Sequence, residues 1–342
     1  GSAPLSQLIE SIRAELGVRW DCYTPAAQAE MNCYILSSAL TAGAGTALTL
    51  RSKLAKFGVS EEHLARVESA LPLKQKPHNP QVAAWKMRAE GRVAEAQALE
   101  AQLIKDLSAG KVAGQPSSAG SGVNGAQYVK LDSGVSGVWK PTEVIDKNLK
   151  VISTQGAQHE VAAFAIDRKL GLNTVPVTVE KNLNGKSGSL QLRVESAEPP
   201  AGAKRQLAFF DDLISNADRN SGNIISSEGR VVAIDHGATF TDVPFPKEYT
   251  FRGQVEINLE SYKSAATKEQ KNQHIKQLRA FMPEKEVYER LVTIPVDEWK
   301  KTLSPHLSPE KIRTFLDKRN KIIDAVEKAR KKMGDQIFAS RP

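Results

Sequence analysis

Apolar and polar residues along this chain follow three successive patterns: helical, strand-like, and helical again. Before residue 110, apolar side chains recur three and four positions apart, which predicts helices. From 126 to 194, short apolar runs alternate with turn residues and predict two strand hairpins. Helical spacing recurs between the two hairpins and after them, at 158–170, 206–215 and 268–335. This order of elements predicts an α+β fold.

A segment rich in Gly, Ser, Ala and Pro, residues 111–119, has almost no side chain that could be buried and has the composition of a linker. We therefore expect a separate helical domain in residues 1–110. The remaining chain is divided into a small, strand-rich lobe at 120–195 and a large lobe with C-terminal helices at 196–342.

The most informative pattern is a short predicted hairpin with strands at 223–225 and 231–234. Asp218 and Asn223 lie at its start, and Asp235 follows its second strand. Phosphoryl transfer needs an oriented acceptor hydroxyl and metal ions that neutralise phosphate oxygens. An Asp that accepts the proton, followed by an Asn and a second Asp that hold Mg²⁺, meets both needs. The spacing predicts an ATP- and Mg²⁺-dependent kinase.

The same residue types also occur together in ordinary turns. Asp, Asn, Ser and Gly tolerate left-handed backbone and bond locally to it, so the segments around Asp218 and Asp235 could each be only a turn. The rest of a kinase must therefore be found upstream, in the right order.

A phosphate-binding lysine is predicted at the end of the first hairpin. Lys140 would point from a strand towards the phosphates, and Glu160, early on the next helix, would hold its ammonium group. Surface exposure of both residues is the alternative. Lys130 is a competing candidate, and we prefer Lys140.

Two further segments are candidates for nucleotide contacts. A glycine-rich stretch at 120–125 precedes the first hairpin, and glycines let backbone N–H groups approach phosphates closely. The candidates for adenine contact, Leu192 and Val194, lie where the two lobes should join. The loop candidates are Gly122, Val123, Asn124 and Gly125.

Four stretches between about 118 and 240 resemble the atypical kinases related to type II phosphatidylinositol 4-kinases. That group has kin among actin-fragmin kinase, secretory-pathway protein kinases and bacterial effector kinases. The stretches are GAQYVK at 125–130 with GVWKP at 137–141, EVAAF at 160–164 through LGLNTVP at 170–176, GSLQL at 188–192, and DRNSGN at 218–223 with AIDHG at 233–237.

The resemblance implies a two-lobed atypical protein/lipid kinase-like fold that binds ATP and Mg²⁺. It implies Lys140 for the ATP phosphates, Asp218 as catalytic base, and Asn223 and Asp235 as Mg²⁺ ligands. His236, a lone His beside an Asp, is given no catalytic role.

The chain also departs from the lipid kinases. It lacks their Cys-rich palmitoylated stretch, and residues 239–249 are unlike their membrane-facing region. We therefore expect a protein hydroxyl as the acceptor, with phosphoinositide as the alternative. A pseudokinase scaffold and transfer of a nucleotidyl group are further alternatives.

Charge and cysteine content limit the kinds of partner and the compartment that we expect. Residues 252–342 contain 20 Lys and Arg against 13 Asp and Glu, within a chain of net charge +8. This surface either approaches an anionic membrane or acidic partner, or is an ordinary solvated helical surface. Aromatic residues do not alternate with the basic ones, so no nucleic acid is expected. Cys22 and Cys33 lack metal-ligand spacing and fit a reducing compartment, the cytoplasm or the cytosol of a host cell.

Overall fold

The computed structural model describes residues 79–119, 125–142, 144–145, 151–153, 155–216, 218–241 and 246–338. Asn79 to Pro342 form one compact unit. The N-terminal domain predicted for 1–110 therefore lies outside the described residues as far as 78, as do Cys22 and Cys33.

Helices and antiparallel strands both contribute to the unit, so the predicted α+β class is confirmed. The helices are α1 Pro80–Ala89, α2 Val93–Ala109, α3 Gly156–Leu170, α4 Ala203–Leu213, α5 Phe251–Ser264, α6 Lys268–Arg279, α7 Lys285–Thr293, α8 Val296–Leu303 and α9 Pro309–Met333. The strands are β1 Ser117–Ser118, β2 Gln127–Lys130, β3 Ser136–Pro141, β4 Val144–Ile145, β5 Val151–Ser153, β6 Thr178–Glu180, β7 Gly188–Leu192, β8 Ile224–Ser227 and β9 Arg230–Ala233. Short 3₁₀ turns are Ser221–Asn223, Lys247–Tyr249 and Asp335–Ile337.

The main sheet has the strand order β1-β2-β3-β7-β6, and every neighbouring pair is antiparallel. Both hairpins predicted between 126 and 194 are present in it. Helix α3 buries Ala162, Ala163 and Ile166 in the same core as the sheet residues and ends at Gly171, whose φ of 69° is the left-handed conformation that glycine favours at this position. The β4–β5 pair was not predicted.

The β8–β9 hairpin is tighter than expected. The predicted strands, 223–225 and 231–234, left residues 226–230 for the turn, but Ser226 and Ser227 pair with Val231 and Arg230 in the ladder. The turn consists of Glu228 and Gly229, with φ of 48° and 79°. Two successive positive φ angles match the right-handed twist of the strands, so the ladder can extend further into the turn.

The boundary between compact units differs from the one expected at the 111–119 linker. Helix α2 buries Leu103 and Leu107 in one cluster with Val129 and Leu131 of the sheet region. Ser117–Ser118 of the expected linker forms the edge strand β1. Small polar residues bury little surface but retain their backbone hydrogen bonds, which composition does not reveal.

The second half is helical, as predicted for 268–335. Helix α9 begins with a Ser308 cap, whose side chain accepts from Lys311 N, followed by Pro309. Its Phe315 packs on Trp299 of α8, with ring centroids 5.2 Å apart. Within the described ranges, no helix combines the length and apolar character that crossing a membrane requires.

Helix α1 should contribute strongly to the stability of the whole unit. Trp85 is 1% exposed and packs in a cluster with Val82, Val194 and Val232, which joins α1 to the end of β7 and to β9. We expect Trp85→Ala to lower the free energy of unfolding by roughly 3–5 kcal/mol because a large buried ring is lost. Urea unfolding of the full chain, followed by fluorescence and circular dichroism, measures this loss. The control is Lys86→Ala, an exposed position on the same helix. Equal stability of the two variants would contradict the assignment of α1 to this unit.

Candidate active site

Lys140 stands between two carboxylates. Its position on β3 is fixed by the register opposite Ser189 of β7. Lys140 Nζ lies 2.8 Å from Glu160 Oε1 and 3.0 Å from Asp235 Oδ1. The competing candidate Lys130 is exposed on β2. The structure thus places Lys140, and not Lys130, beside its predicted partner Glu160 and also beside Asp235.

Glu160 is the buried member of this group, with its side chain only 2% exposed. Burial by itself would raise the pKa of Glu160, but the Lys140 charge and His236 outweigh burial and hold that pKa below its ordinary range. Burial would likewise lower the pKa of Lys140, but the charges of Glu160 and Asp235 outweigh burial and raise that pKa above its ordinary value. The pair is therefore fully ionised at neutral pH.

The β8–β9 hairpin brings Asn223 and Asp235 to one end. Ile234 N donates to Asn223 O at 3.1 Å, so the residues after β9 lie directly beside the start of β8. Asp235 has a φ of 60°, and its side chain is 40% exposed. The left-handed backbone turns this carboxylate out of the ladder direction, towards Lys140.

Asp218 is held by its own loop. Asn223 Nδ2 donates to the Asp218 carbonyl oxygen at 2.7 Å and to Asp218 Oδ2 at 3.2 Å. Asn220 Nδ2 donates to Oδ1 at 3.0 Å, and Asp218 N donates to Asn216 Oδ1 at 3.0 Å. Because the Asn223 nitrogen bonds to Asp218, its amide oxygen is directed elsewhere. Asp218 and Asn223 are thus in direct contact, and Asp235 follows the strand that pairs with β8.

Arg219, for which the sequence analysis proposed no role, connects the two loops. It is almost completely buried and forms an ion pair with Asp211 at 3.0 Å. Its guanidinium also donates to Asn223 O at 2.6 Å, to Ile234 O at 2.9 Å and to His236 Nε2 at 3.0 Å. A planar fork with five donors can make such a set of bonds, whereas a lysine cannot.

His236 is a structural residue of this network, in agreement with the expectation that it has no catalytic role. It is completely buried, and burial lowers its pKa, so its ring is neutral. Since Nε2 accepts from Arg219, Nδ1 carries the hydrogen, and it lies 3.5 Å from Glu160 Oε2. His236 thereby separates the cationic Arg219 from the anionic Glu160.

A second histidine, His159, was also missed. Its Nδ1 lies 3.0 Å from Gly237 O, and its Nε2 lies 2.6 Å from Lys311 Nζ of α9. Burial and the Lys311 charge lower the pKa of His159 to about 4, so the neutral ring donates to Gly237 and accepts from Lys311. Neighbouring residues of α3, His159 and Glu160, therefore hold neighbouring parts of the Asp235-His236-Gly237 segment.

The structure describes only some of the candidates for nucleotide contact, and two of those are buried. Gly122, Val123 and Asn124 lie outside the described residues, and Gly125 has a φ of 65° at the entry to β2. Leu192 and Val194 are buried in the core and expose little surface for an adenine ring. Ile225 and Ile234, which the sequence analysis did not single out, pack against the Val194 cluster and remain half-buried.

No protein-family model matches the chain, and no curated protein matches its sequence significantly. The fold is similar to that of several solved kinases. The Golgi casein kinase with Mn/ADP bound is 13% identical, with a TM-score of 0.46 over 71% of this chain and 79% of that chain. Hydra Fam20 with sugar is 16% identical, with a TM-score of 0.46 over 71% and 92%. The Helicobacter pylori proinflammatory kinase CtkA is 12% identical, with a TM-score of 0.31 over 68% and 96%.

The neutral, buried His159 should make stability depend on pH. Its pKa is lowered from 6.5 to about 4 in the folded protein, so only the unfolded chain gains a proton as the pH falls from about 6.5 to 4. His159 therefore contributes fully above pH 6.5, and up to about 3 kcal/mol of stability is lost on acidification. Urea unfolding at several pH values should show a flatter profile for His159→Gln than for the original chain. The variant His274→Gln, at a partly exposed position, serves as control. Parallel profiles for His159→Gln and the original chain would contradict this assignment.

Proposed function

We propose that this chain is an ATP-dependent phosphotransferase that phosphorylates protein hydroxyl groups. The observation that carries the proposal is that Lys140 Nζ lies within 3.0 Å of both Glu160 and Asp235. Asp235 follows the β8–β9 hairpin, and Asn223, which contacts Asp218, precedes it. An ammonium group has three donors, so two carboxylates leave one N–H for a phosphate oxygen of ATP.

Asp218 is suited to act on the acceptor. Its carboxylate takes the proton of the acceptor hydroxyl while that oxygen forms a bond to the γ-phosphorus. The bond between the γ-phosphorus and the bridging oxygen breaks, and ADP leaves with the electron pair. The bonds from Asn223 and Asn220 fix the carboxylate for this role, because a general base must lie within hydrogen-bond reach of the proton that it accepts.

The donor set also fits Mg²⁺. The Asn223 amide oxygen and the second carboxylate oxygen of Asp235 are the ligands that we assign to it. In the described part of the chain, no three His, Cys, Asp or Glu side chains cluster as a complete metal cage. Mg²⁺ is commonly held by one or two protein oxygens together with substrate phosphates. When bound, Mg²⁺ supplies positive charge that neutralises the phosphate oxygens.

A phosphoinositide acceptor is the second candidate, and the lysine-rich surface of α5 and α9 favours it. A cavity of about 590 Å³ there is lined by several lysines, among them Lys263, Lys328, Lys331 and Lys332. Many of its charges are already paired, however: Lys328 with Asp324 at 2.6 Å and Lys263 with Glu260 at 2.8 Å. Charge pairing weakens attraction to an anionic membrane, so a protein acceptor remains our first choice. A location in the cytoplasm or in a host cytosol remains a prediction.

Labelled ATP tests the proposal. With Mg²⁺ and γ-labelled ATP, we expect label on proteins of a cell lysate or on the chain itself, and a loss of about 10²–10⁴-fold in Asp218→Ala because the general base is removed. Asp235→Asn should lose transfer as well, since it removes the charge that faces Lys140. The matched control is Asp324→Asn, an exposed carboxylate on α9.

The other acceptors and reactions give different results. Label confined to phosphoinositide liposomes would establish the lipid alternative. Transfer from α-labelled ATP would indicate nucleotidyl transfer. Nucleotide binding without any transfer would leave a pseudokinase scaffold, and equal transfer by the original chain and both variants would contradict the proposed roles of Asp218 and Asp235.

A further inference from the structure

A groove of about 1640 Å³, whose lining does not include Lys140, runs beside α3. Glu160, near the start of α3, contacts Lys140, whereas Val161, Phe164 and Arg168 line the groove. Because Glu160, Phe164 and Arg168 are spaced four residues apart, they lie on one side of the helix at different heights along it. The start of α3 therefore holds Lys140, and the following turns form one wall of the groove.

The groove is strongly basic. Two acidic residues, Glu180 and Glu284, line it, against seven permanent cations. Those cations are Arg88, Arg168, Lys169, Arg205, Arg230, Arg279 and Arg290. Clustered charge of one sign attracts ligands of the opposite sign and excludes cationic ones.

Two of these cations are available to a ligand. Arg88 and Arg168 both contact the buried Glu100, so part of their charge is used within the fold. Arg205 on α4 is exposed, and Arg230 on β9 is half-buried. Within the part of the chain that the structure describes, neither Arg205 nor Arg230 has a carboxylate or hydrogen-bond partner for its guanidinium group.

Part of the lining is apolar, which favours a ligand that has apolar side chains as well as negative charges. Three apolar side chains of the lining keep exposed surface: Val93, which is exposed, and Ile104 and Leu172, which are partly buried. A small phosphate compound would use the cations alone. The volume also exceeds the roughly 300–1,000 Å³ that a single small molecule usually fills. A polypeptide with carboxylates and apolar side chains would use both parts of the lining.

We propose that this groove binds an acidic segment of a partner protein, in which carboxylate side chains alternate with apolar ones. The carboxylates contact Arg205 and Arg230, and the apolar side chains cover Val93, Ile104 and Leu172. This inference goes beyond the proposed function and does not depend on it, because binding needs neither ATP nor catalysis.

The test is fluorescence anisotropy of a fluorescein-labelled peptide of alternating glutamate and leucine, added to the full chain. We expect saturable binding that weakens about tenfold or more in the double variant Arg205→Glu/Arg230→Glu, because two attractive contacts become repulsive. The matched control is Lys204→Glu/Lys186→Glu, with the same change of charge at exposed positions outside the groove. Lys204 directly precedes Arg205 on α4, so both variants alter the first turn of one helix. Unchanged melting temperatures show that the variants are folded.

Several results would overturn the proposal. They are absence of binding, equal weakening in the two double variants, and equally tight binding of a glutamate–glycine peptide that lacks the apolar side chains. Binding of inorganic triphosphate that is tighter than peptide binding and lost in the Arg205→Glu/Arg230→Glu variant would instead identify a site for small phosphates. Failure of phosphoryl transfer would not affect this inference, since it is read from labelled ATP in a separate experiment.

Discussion

The ammonium group of Lys140 has to be compensated, and much of the described structure serves that requirement. A buried or half-buried charge is costly unless carboxylates and hydrogen bonds surround it. Here the compensation comes from three separate elements: β3 carries the lysine, α3 carries Glu160, and the loop after β9 carries Asp235. None of the three can move alone without leaving a charge unpaired. The ion group therefore fixes the sheet, α3 and the hairpin relative to one another, and it places the charge where phosphate oxygens would need it.

Arg219 is compensated by a similar set of contacts at the open end of the β8–β9 hairpin. One guanidinium satisfies two backbone carbonyls, Asn223 O and Ile234 O, together with Asp211 and His236. His236 lies between Arg219 and Glu160 and so connects the two buried ion groups. Because its ring is neutral, it does not place a second positive charge beside the Arg219 guanidinium. Catalytic geometry of this kind depends on such supporting contacts, since a displacement of about 1 Å can cost 10²-fold in rate.

Sequence patterns predicted what is local or chemically complementary. Turn residues and apolar alternation located the hairpins and α3, and the need of a lysine for a carboxylate paired Lys140 with Glu160. Contacts between distant segments could not be predicted in this way. His159 and Lys311 are 152 residues apart, and neither belongs to a motif. Arg219 lies inside the motif, but two of its partners are backbone carbonyls, which any sequence supplies, and its carboxylate partner Asp211 lies outside the motif. The edge strand at Ser117–Ser118 likewise depends on backbone pairing, and its composition resembles a linker.

Helix α3 connects the two sites that we propose. Its first turn presents His159 and Glu160 to the active site, and Phe164 and Arg168, one and two turns further along, line the basic groove. A shift of α3 that separated Glu160 from Lys140 would leave a buried carboxylate unpaired, at a cost of about 3–5 kcal/mol. The contact between Lys140 and Glu160 therefore holds α3 in place. A ligand in the groove can change activity only if its affinity differs between this position of α3 and another one. Because the proposed segment contacts Arg205 on α4 and Arg230 on β9, and the charge of Arg168 is already offset by Glu100, its binding by itself leaves the contact between Glu160 and Lys140 unchanged.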